Sequence, residues 1–281
     1  MMLLVPVDPV VPRRVDAHFA NEAAAARAAG VAVALVDHDA LAGRGDAGRA
    51  VERVPGGATA VYRGWMLGSD RYAAFAAALA ERGTTLRTPP EAYRRGHELP
   101  GWYDTLEGLT PESAWTSGPP TRAAFDTARR AIGDGPAVLR DYSKSLKHYW
   151  HEAAYIPDVA DADAAWAVGE RFAQLRGDEF TGGFVLRRFE PFTGAEVRTW
   201  WVGGRCRLVT AHPDTPEQLP PGDLELPPGL AGAVTGLPFV TVDLARRADG
   251  AWRVVELGDG QVSDRPASTP PEQLLTAVLD G

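Results

Sequence analysis

The stretch FVTVDLARRADGAWRVVELGDGQVSD, residues 239–264, constrains this chain more than any other. Two β-branched runs, Phe239 to Ala245 and Trp252 to Leu257, flank Ala248-Asp249-Gly250, the composition of a hairpin turn. A four-residue loop over 248–251 sets Arg247 opposite Trp252, Ala245 opposite Val254 and Asp243 opposite Glu256. Side chains alternate along a strand, so Val242, Leu244, Val255 and Leu257 share one face and the two acids share the other. Directly opposed residues hold their Cβ atoms ~5 Å apart, where like charges destabilise a sheet. Two carboxylates so placed need a cation, or one must keep its proton. Mg²⁺ fits the first case, because it is held through one or two carboxylates plus the phosphates of a nucleotide. Asp259, just past the second strand, offers a further oxygen, and Gly258 and Gly260 let backbone approach a ligand closely. In the alternative, the register slips by one or two residues and both acids are solvated.

The N-terminal part has a different pattern. Met2 to Val7 is an unbroken apolar run of strand length, as in a parallel strand covered on both faces. Arg14 to Ala29 is alanine-rich and helical, with Gly30 as its stop. Val31 to Val36 and Ala58 to Leu67 read as further strands, and Asp70 to Arg82 as the next helix. This order predicts a small doubly wound α/β domain over residues 1–88. Arg63 and Trp65, at the end of its third strand, stand where such sheets face a ligand. The plain alternative for Arg63 is an interdomain salt bridge.

Residues 86–120 are rich in proline and read as the crossing into a second domain, pinned by Trp102, Tyr103 and Trp115. Thr121 to Ile132 is helical, and AVLRDYSKSLKHYW (137–150) is a strand carrying Arg140 followed by a basic, hydroxyl-rich loop. Arg140, Lys144 and Lys147, with Ser143 and Ser145, supply the donors a polyanion needs. A solvated basic turn is the competing reading. Ala162 to Leu175 is a helix; Gly182 to Glu190, Ala195 to Val202 and Arg205 to Thr210 are strands, with Glu196 and Arg198 on one face. Pro213 to Pro228 is an acidic loop and Pro270 to Leu279 a last helix.

Composition removes several classes of function. At 281 residues, 45% of them hydrophobic, the chain supports a large core and two domains. Its net charge of -8 argues against general nucleic-acid or anionic-membrane binding. No apolar run approaches a membrane span, and the opening MMLLVPV is too short for a signal peptide. Cys206 is the sole cysteine, which excludes an intrachain disulfide and a cysteine-built zinc site and fits the cytoplasm. The motifs GxxxxGK, GxGxxG and GxSxG are absent, and His151-Glu152 lacks the second histidine of HExxH.

Four segments together resemble the ATP-grasp superfamily: AVLRDYSKSLKHYW, FVLRRFEPF, GAEVRTWWVGG and VTVDLARRADGAWRVVELGDGQ. The chain looks most similar to the clade in which a phosphate-contacting arginine is replaced by lysine elsewhere. The resemblance implies an ATP-grasp domain over 89–281, two α+β subdomains clasping nucleotide, behind the small α/β domain. Its basic-loop subdomain would cover about 121–186, its hinge 187–192 and its metal-binding subdomain 193–281. It implies that the hinge residues Arg187, Arg188, Phe189 and Glu190 meet adenine and Glu196 meets ribose or metal. Asp243 and Glu256, with Asp259, would hold Mg²⁺. Three departures stand out: Arg140 replaces the usual lysine, Thr241-Val242-Asp243 the usual Arg-x-Asp, and Glu256-Leu257-Gly258 the usual Glu-x-Asn. Lys144, Lys147 or Arg198 would then compensate for the missing arginine. The implied activity is an ADP-forming ligase that uses ATP and Mg²⁺ to join a small-molecule or peptide carboxylate to an amine, with Arg63 and Trp65 at the acceptor carboxylate. A kinase acting on a hydroxyl, or a decayed nucleotide-binding scaffold, are the alternatives.

Overall fold

The computed structural model describes residues 1–279. Met2–Pro6 (β1) is buried throughout, as its unbroken apolar run requires. It pairs in parallel with Ala32–Val36 (β2) and Thr59–Tyr62 (β3), and β3 pairs with Thr85–Leu86 (β4), giving the order β2-β1-β3-β4. The helix Ala20–Ala28 packs on Leu3 and Val5, while Ser69–Glu81 packs on Met2 and Leu4 of the other face. The sheet is therefore doubly wound. β3 is shorter than its apolar composition predicts. A Cβ on Gly64 would stand 2.2 Å from the Tyr62 ring, so the chain turns out of the sheet where only glycine fits.

Residues 86–120 are not a linker. They form the helices Pro90–His97 and Leu99–Leu106 and the strand Ser113–Trp115 (β5). The prolines that suggested a crossing sit in first helical turns, where a missing N–H costs nothing. Leu99, Trp102 and Leu106 are buried against the last sheet.

The second sheet is antiparallel, in the order β5-β8-β6-β7, with β6 at Ala137–Arg140, β7 at Tyr155–Ile156 and β8 at Val185–Arg188. The helices Arg122–Ile132 and Ala162–Arg176 cover it around Phe125, Phe172 and Phe184. The third, also antiparallel, runs β10-β9-β11-β12, from Phe192–Val202 (β9), Arg205–Ala211 (β10), Phe239–Arg247 (β11) and Trp252–Asp259 (β12). One of its faces buries Val240, Val242, Leu244 and Leu257 under the helix Leu99–Leu106. The other packs Trp200 and Phe239 against Val61 of the first sheet.

The chain ends where it began. The helix Pro271–Leu279 places Leu275 against Leu3 and Val5, and Leu274 and Val278 against Val61 and Trp200. The division after residue 88 thus holds for the sheets but not for this helix, which covers the N-terminal sheet. Asp280 and Gly281 lie outside the described residues. No helix among the described residues is long and apolar enough to cross a membrane.

One buried ion pair latches the domains together. Arg63 is 1% exposed; its Nε and Nη2 donate to Glu22 at 2.8 and 3.0 Å, and its Nη1 donates to the carbonyls of Gly260 and Ser263 at 2.5 and 2.8 Å. Its guanidinium also lies 5.5 Å from the Trp200 ring centre. Burial opposes the charge on Glu22, yet Arg63 holds its pKa below the ordinary value. Removing one partner, by Arg63→Met or Glu22→Gln, is expected to cost about 3–5 kcal/mol in urea unfolding, and Glu22→Leu with Arg63→Met to recover much of it. Equal losses in single and double variants would assign the latch to the carbonyl contacts instead.

Candidate functional site

Asp243 does face Glu256, by a route that counting back from the turn does not foresee. The loop holds five residues, so Arg246 faces Trp252 and Ala245 faces Arg253, one residue out from the expected register. A bulge at Val255 then restores the offset between Leu244 and Asp243. Val254, not Val255, joins Leu244 in the core, and Val255 turns to line a cleft. Bulges beside functional sites commonly re-aim side chains in this way, here letting Glu256 share the cleft with Asp243.

The cleft, about 590 Å³, runs between the second and third sheets. Its acids are already paired. Arg198, opposite Asp243 on β9, donates to both Asp243 oxygens at 2.8 Å. Arg140 of β6 reaches Glu256 at 2.8 Å from the other side of the cleft. Burial alone would raise both carboxyls; Arg198 holds Asp243 well below the usual carboxylate range, and Arg140 holds Glu256 below it. Glu196 goes the other way, raised by burial and by the charge on Asp243.

His212 completes this cluster. Its Nε2 lies 3.6 Å from Asp243 Oδ2 and 3.7 Å from Glu196 Oε2, and its Nδ1 accepts from the Asp214 N–H at 3.2 Å. The residue is absent from the sequence reading, although the turn at Gly203-Gly204 points toward it. Ala211 pairs with Val197, so the next step along β10 brings His212 beside Glu196.

The basic loop is split. Lys147 forms an ion pair with Asp214; burial opposes its charge, but Asp214 wins and raises its pKa. Among the described residues, no ion pair engages the Lys144 ammonium. Buried Asp141, also unforeseen, anchors the turn by accepting from the Ser143 and Lys144 N–H groups at 2.8 and 2.7 Å and from Arg176 Nε at 2.8 Å. Ser143 Oγ donates to the same carboxylate, so the hydroxyl is committed within the turn.

At the hinge, Arg187 is buried, donating to Val255 O at 2.6 Å and Thr110 Oγ1 at 2.7 Å. Burial, helped by Arg140, pushes its pKa down to about 9, and its Nε is a buried donor without a partner among the described residues. Arg188 turns outward to the carbonyls of Ile132 and Asp134. Glu190 accepts from Arg253 at 2.8 and 2.9 Å. Phe189 packs on Trp150 and Tyr155, whose rings stack at 5.4 Å, so this end of the cleft is aromatic.

Three expected site residues stand elsewhere. Arg63 is the interdomain latch and does not line the cleft. Trp65 is 38% exposed, donates to Asp16 at 2.9 Å and stacks near His18, outside the cleft lining. Asp259 pairs with Val240, and Leu257 with Val242, so alternation turns its side chain away from Asp243 and Glu256. β12 extends two residues past Leu257, and that extension decides the matter. Asp259 Oδ1 accepts from the Gln261 N–H and Nε2, while its Oδ2 is buried without a partner among the described residues.

A family model, the ATP-grasp domain of the arginine-to-lysine clade, family 3, matches residues 131–278, more than half of the chain. The chain belongs to the ATP-grasp family. Solved ATP-grasp folds superpose along its whole length. A RimK domain ATP-grasp protein from Sphaerobacter thermophilus is 20% identical with a TM-score of 0.63, covering 99% of this chain and 98% of that one. The D-cycloserine synthetase DcsG is 17% identical (TM-score 0.65; 100% and 99% covered). The ATP-grasp ligase PsnB, complexed with minimal precursor, Mg and ADP, is 16% identical (0.55; 99% and 97%). No curated protein sequence matches significantly.

The residues present fit the nucleotide and divalent ion that an ATP-grasp fold implies. Opposed Asp243 and Glu256 supply hard oxygen ligands, and the unpartnered Arg187 Nε is a buried donor on the cleft wall. Asp259 has a separate electrostatic signature. Burial pushes its carboxyl up to about 7, well above the ordinary 3.8. A raised folded pKa gives stability that is complete below the unfolded value and lost as pH rises through about 7. Asp259→Asn should therefore gain on wild type by a few kcal/mol between about pH 4 and 8, at about 1.4 kcal/mol per unit, in urea titrations at each pH. A pH-independent difference would refute the buried neutral carboxyl.

Proposed function

We propose that this ATP-grasp protein is an ADP-forming ligase that activates a carboxylate with ATP and joins it to an amine. The observation that carries the reading is the Asp243–Glu256 pair facing Arg140 and Lys144 across the cleft. Phosphoryl transfer is mostly positioning and charge neutralisation, so it needs acids for a metal and cations for phosphate more than a nucleophile. Asp243 and Glu256 would hold Mg²⁺, which bridges phosphate oxygens and offsets their charge. Arg140 and the available Lys144 would face the transferred group, with Arg198 holding Asp243 in place. The hinge backbone at 187–190 would take adenine beside Trp150 and Phe189, and Glu196 the ribose or the metal.

In the reaction, a substrate carboxylate oxygen attacks the γ-phosphorus and the bond to the bridging oxygen breaks, releasing ADP. The amine then attacks the acyl carbon, phosphate leaves, and the amine proton passes to solvent. Similar folds belong to a ligase complexed with Mg and ADP and to a D-cycloserine synthetase, which support this class of chemistry without naming the acid or the amine.

With a cognate acid, ATP, Mg²⁺ and hydroxylamine, the enzyme should yield a hydroxamate, ADP and phosphate. AMP with pyrophosphate would overturn the acyl-phosphate route, and a stable phosphoester without free phosphate would mark a kinase instead. Lys144→Ala should lower kcat by ~10²-fold or more with little change in ADP affinity, as expected for a group acting on the developing charge. Lys147→Ala should matter less, because Asp214 already holds that ammonium.

A further inference from the structure

Glu196, His212 and Asp243 bring one ligand atom each within 4.8 Å of one another, and His212 and Asp243 are buried. We propose that these three residues form a cation site beside the Asp243–Glu256 pair, sharing only Asp243 with it, that takes Mn²⁺, Co²⁺ or Zn²⁺ in preference to Mg²⁺. The selectivity follows from the donor set. Mg²⁺ prefers oxygen ligands and keeps its waters, whereas an imidazole nitrogen suits the first-row transition ions and zinc.

The spacing is near what such an ion needs. Ligands at ~2.1 Å from a metal stand roughly 3.0–3.4 Å apart in tetrahedral or octahedral arrangement. His212 Nε2 lies 3.6 Å from Asp243 Oδ2 and 3.7 Å from Glu196 Oε2, so a contraction of a few tenths of an ångström closes the set. Arg198 Nη2 stands 3.5 Å from the same nitrogen, at the limit of a hydrogen bond, and its 2.8 Å bond to Oδ2 uses only one of that oxygen's lone pairs.

A second, independent feature also favours a metal ligand. A metal-bound histidine normally donates its other ring N–H to a carboxylate, and Asp214 Oδ2 stands 3.7 Å from His212 Nδ1. A cation on Nε2 places the ring proton on Nδ1, which then exchanges the Asp214 N–H it accepts from for the Asp214 carboxylate. Lys147 holds Asp214 in turn. The sequence Asp214, His212, cation, Glu196 and Asp243 is thus laid out along one wall of the cleft. Burial and the neighbouring charge raise Glu196, the strain expected of two carboxylates that share too little positive charge.

The test uses the full chain without nucleotide, so it does not depend on the ligase reading. Titration with Co²⁺ should give visible absorption bands of a nitrogen-containing site. His212→Gln should abolish the bands, Asp214→Asn should weaken binding ~10–100-fold, and Glu256→Gln should leave the bands in place. Unchanged bands in His212→Gln, loss of the bands in Glu256→Gln, or no Co²⁺ binding at millimolar metal would each overturn the proposal. If His212→Gln does not fold, pulsed EPR of Mn²⁺-loaded wild type reads the imidazole directly: a ¹⁴N coupling supports the site, and its absence refutes it.

Discussion

Opposed carboxylates at a buried sheet position are tolerable only when positive charge is delivered to both, and the architecture around Asp243 and Glu256 is arranged to deliver it. Arg198 comes from the adjacent strand of the same sheet, so its bidentate bond to Asp243 is set by β-pairing itself. Arg140 comes from a different sheet, so its bond to Glu256 spans the cleft and ties the two lobes together. The Glu256 side chain remains 43% exposed toward the cleft, and each carboxylate retains lone pairs beyond those the arginines use. The same charges therefore stabilise the ligand-free lobes and leave oxygens for a cation.

Two other features place these groups. The bulge at Val255 lets the last strand present Val254 and Leu257 to the core while Glu256 faces outward; unbroken alternation from Val254 would not have reversed the Leu244 pairing. The Arg63–Glu22 latch fastens the N-terminal sheet to the loop after β12 through the Gly260 and Ser263 carbonyls. Trp200 and Phe239 seal the same junction, so the cleft wall and the N-terminal domain move as neighbours in one packed layer.

The acids and bases fall into groups of different strength. Asp243, Glu256 and Asp141 have buried arginine partners, whereas Lys144 has no ion-pair partner among the described residues and Lys147 is held only by half-exposed Asp214. Surface pairs of that last kind contribute little to stability. A polyanion in the cleft would thus meet one ammonium ready to engage and another that must leave a carboxylate.

By itself the sequence determined the parts that depend on local periodicity. The apolar run of β1, the doubly wound order, the antiparallel strands of the last sheet and the face shared by Asp243 and Glu256 all follow from alternation and turn residues over short distances. The pairing survived a wrong loop length only because the extra turn residue and the bulge cancel. What tertiary structure alone decided involves partners far apart in the chain. Glu22 and Arg63, or Arg140 and Glu256, carry no local mark that they will meet. Proline-rich residues 86–120 read as a linker because their apolar side chains, Leu99, Trp102 and Leu106, have no periodic partner nearby; a sheet over a hundred residues later supplies it. His212 and Asp259 depended on a bulge and on two added residues of strand, shifts too small to read from composition and large enough to change which face a side chain occupies.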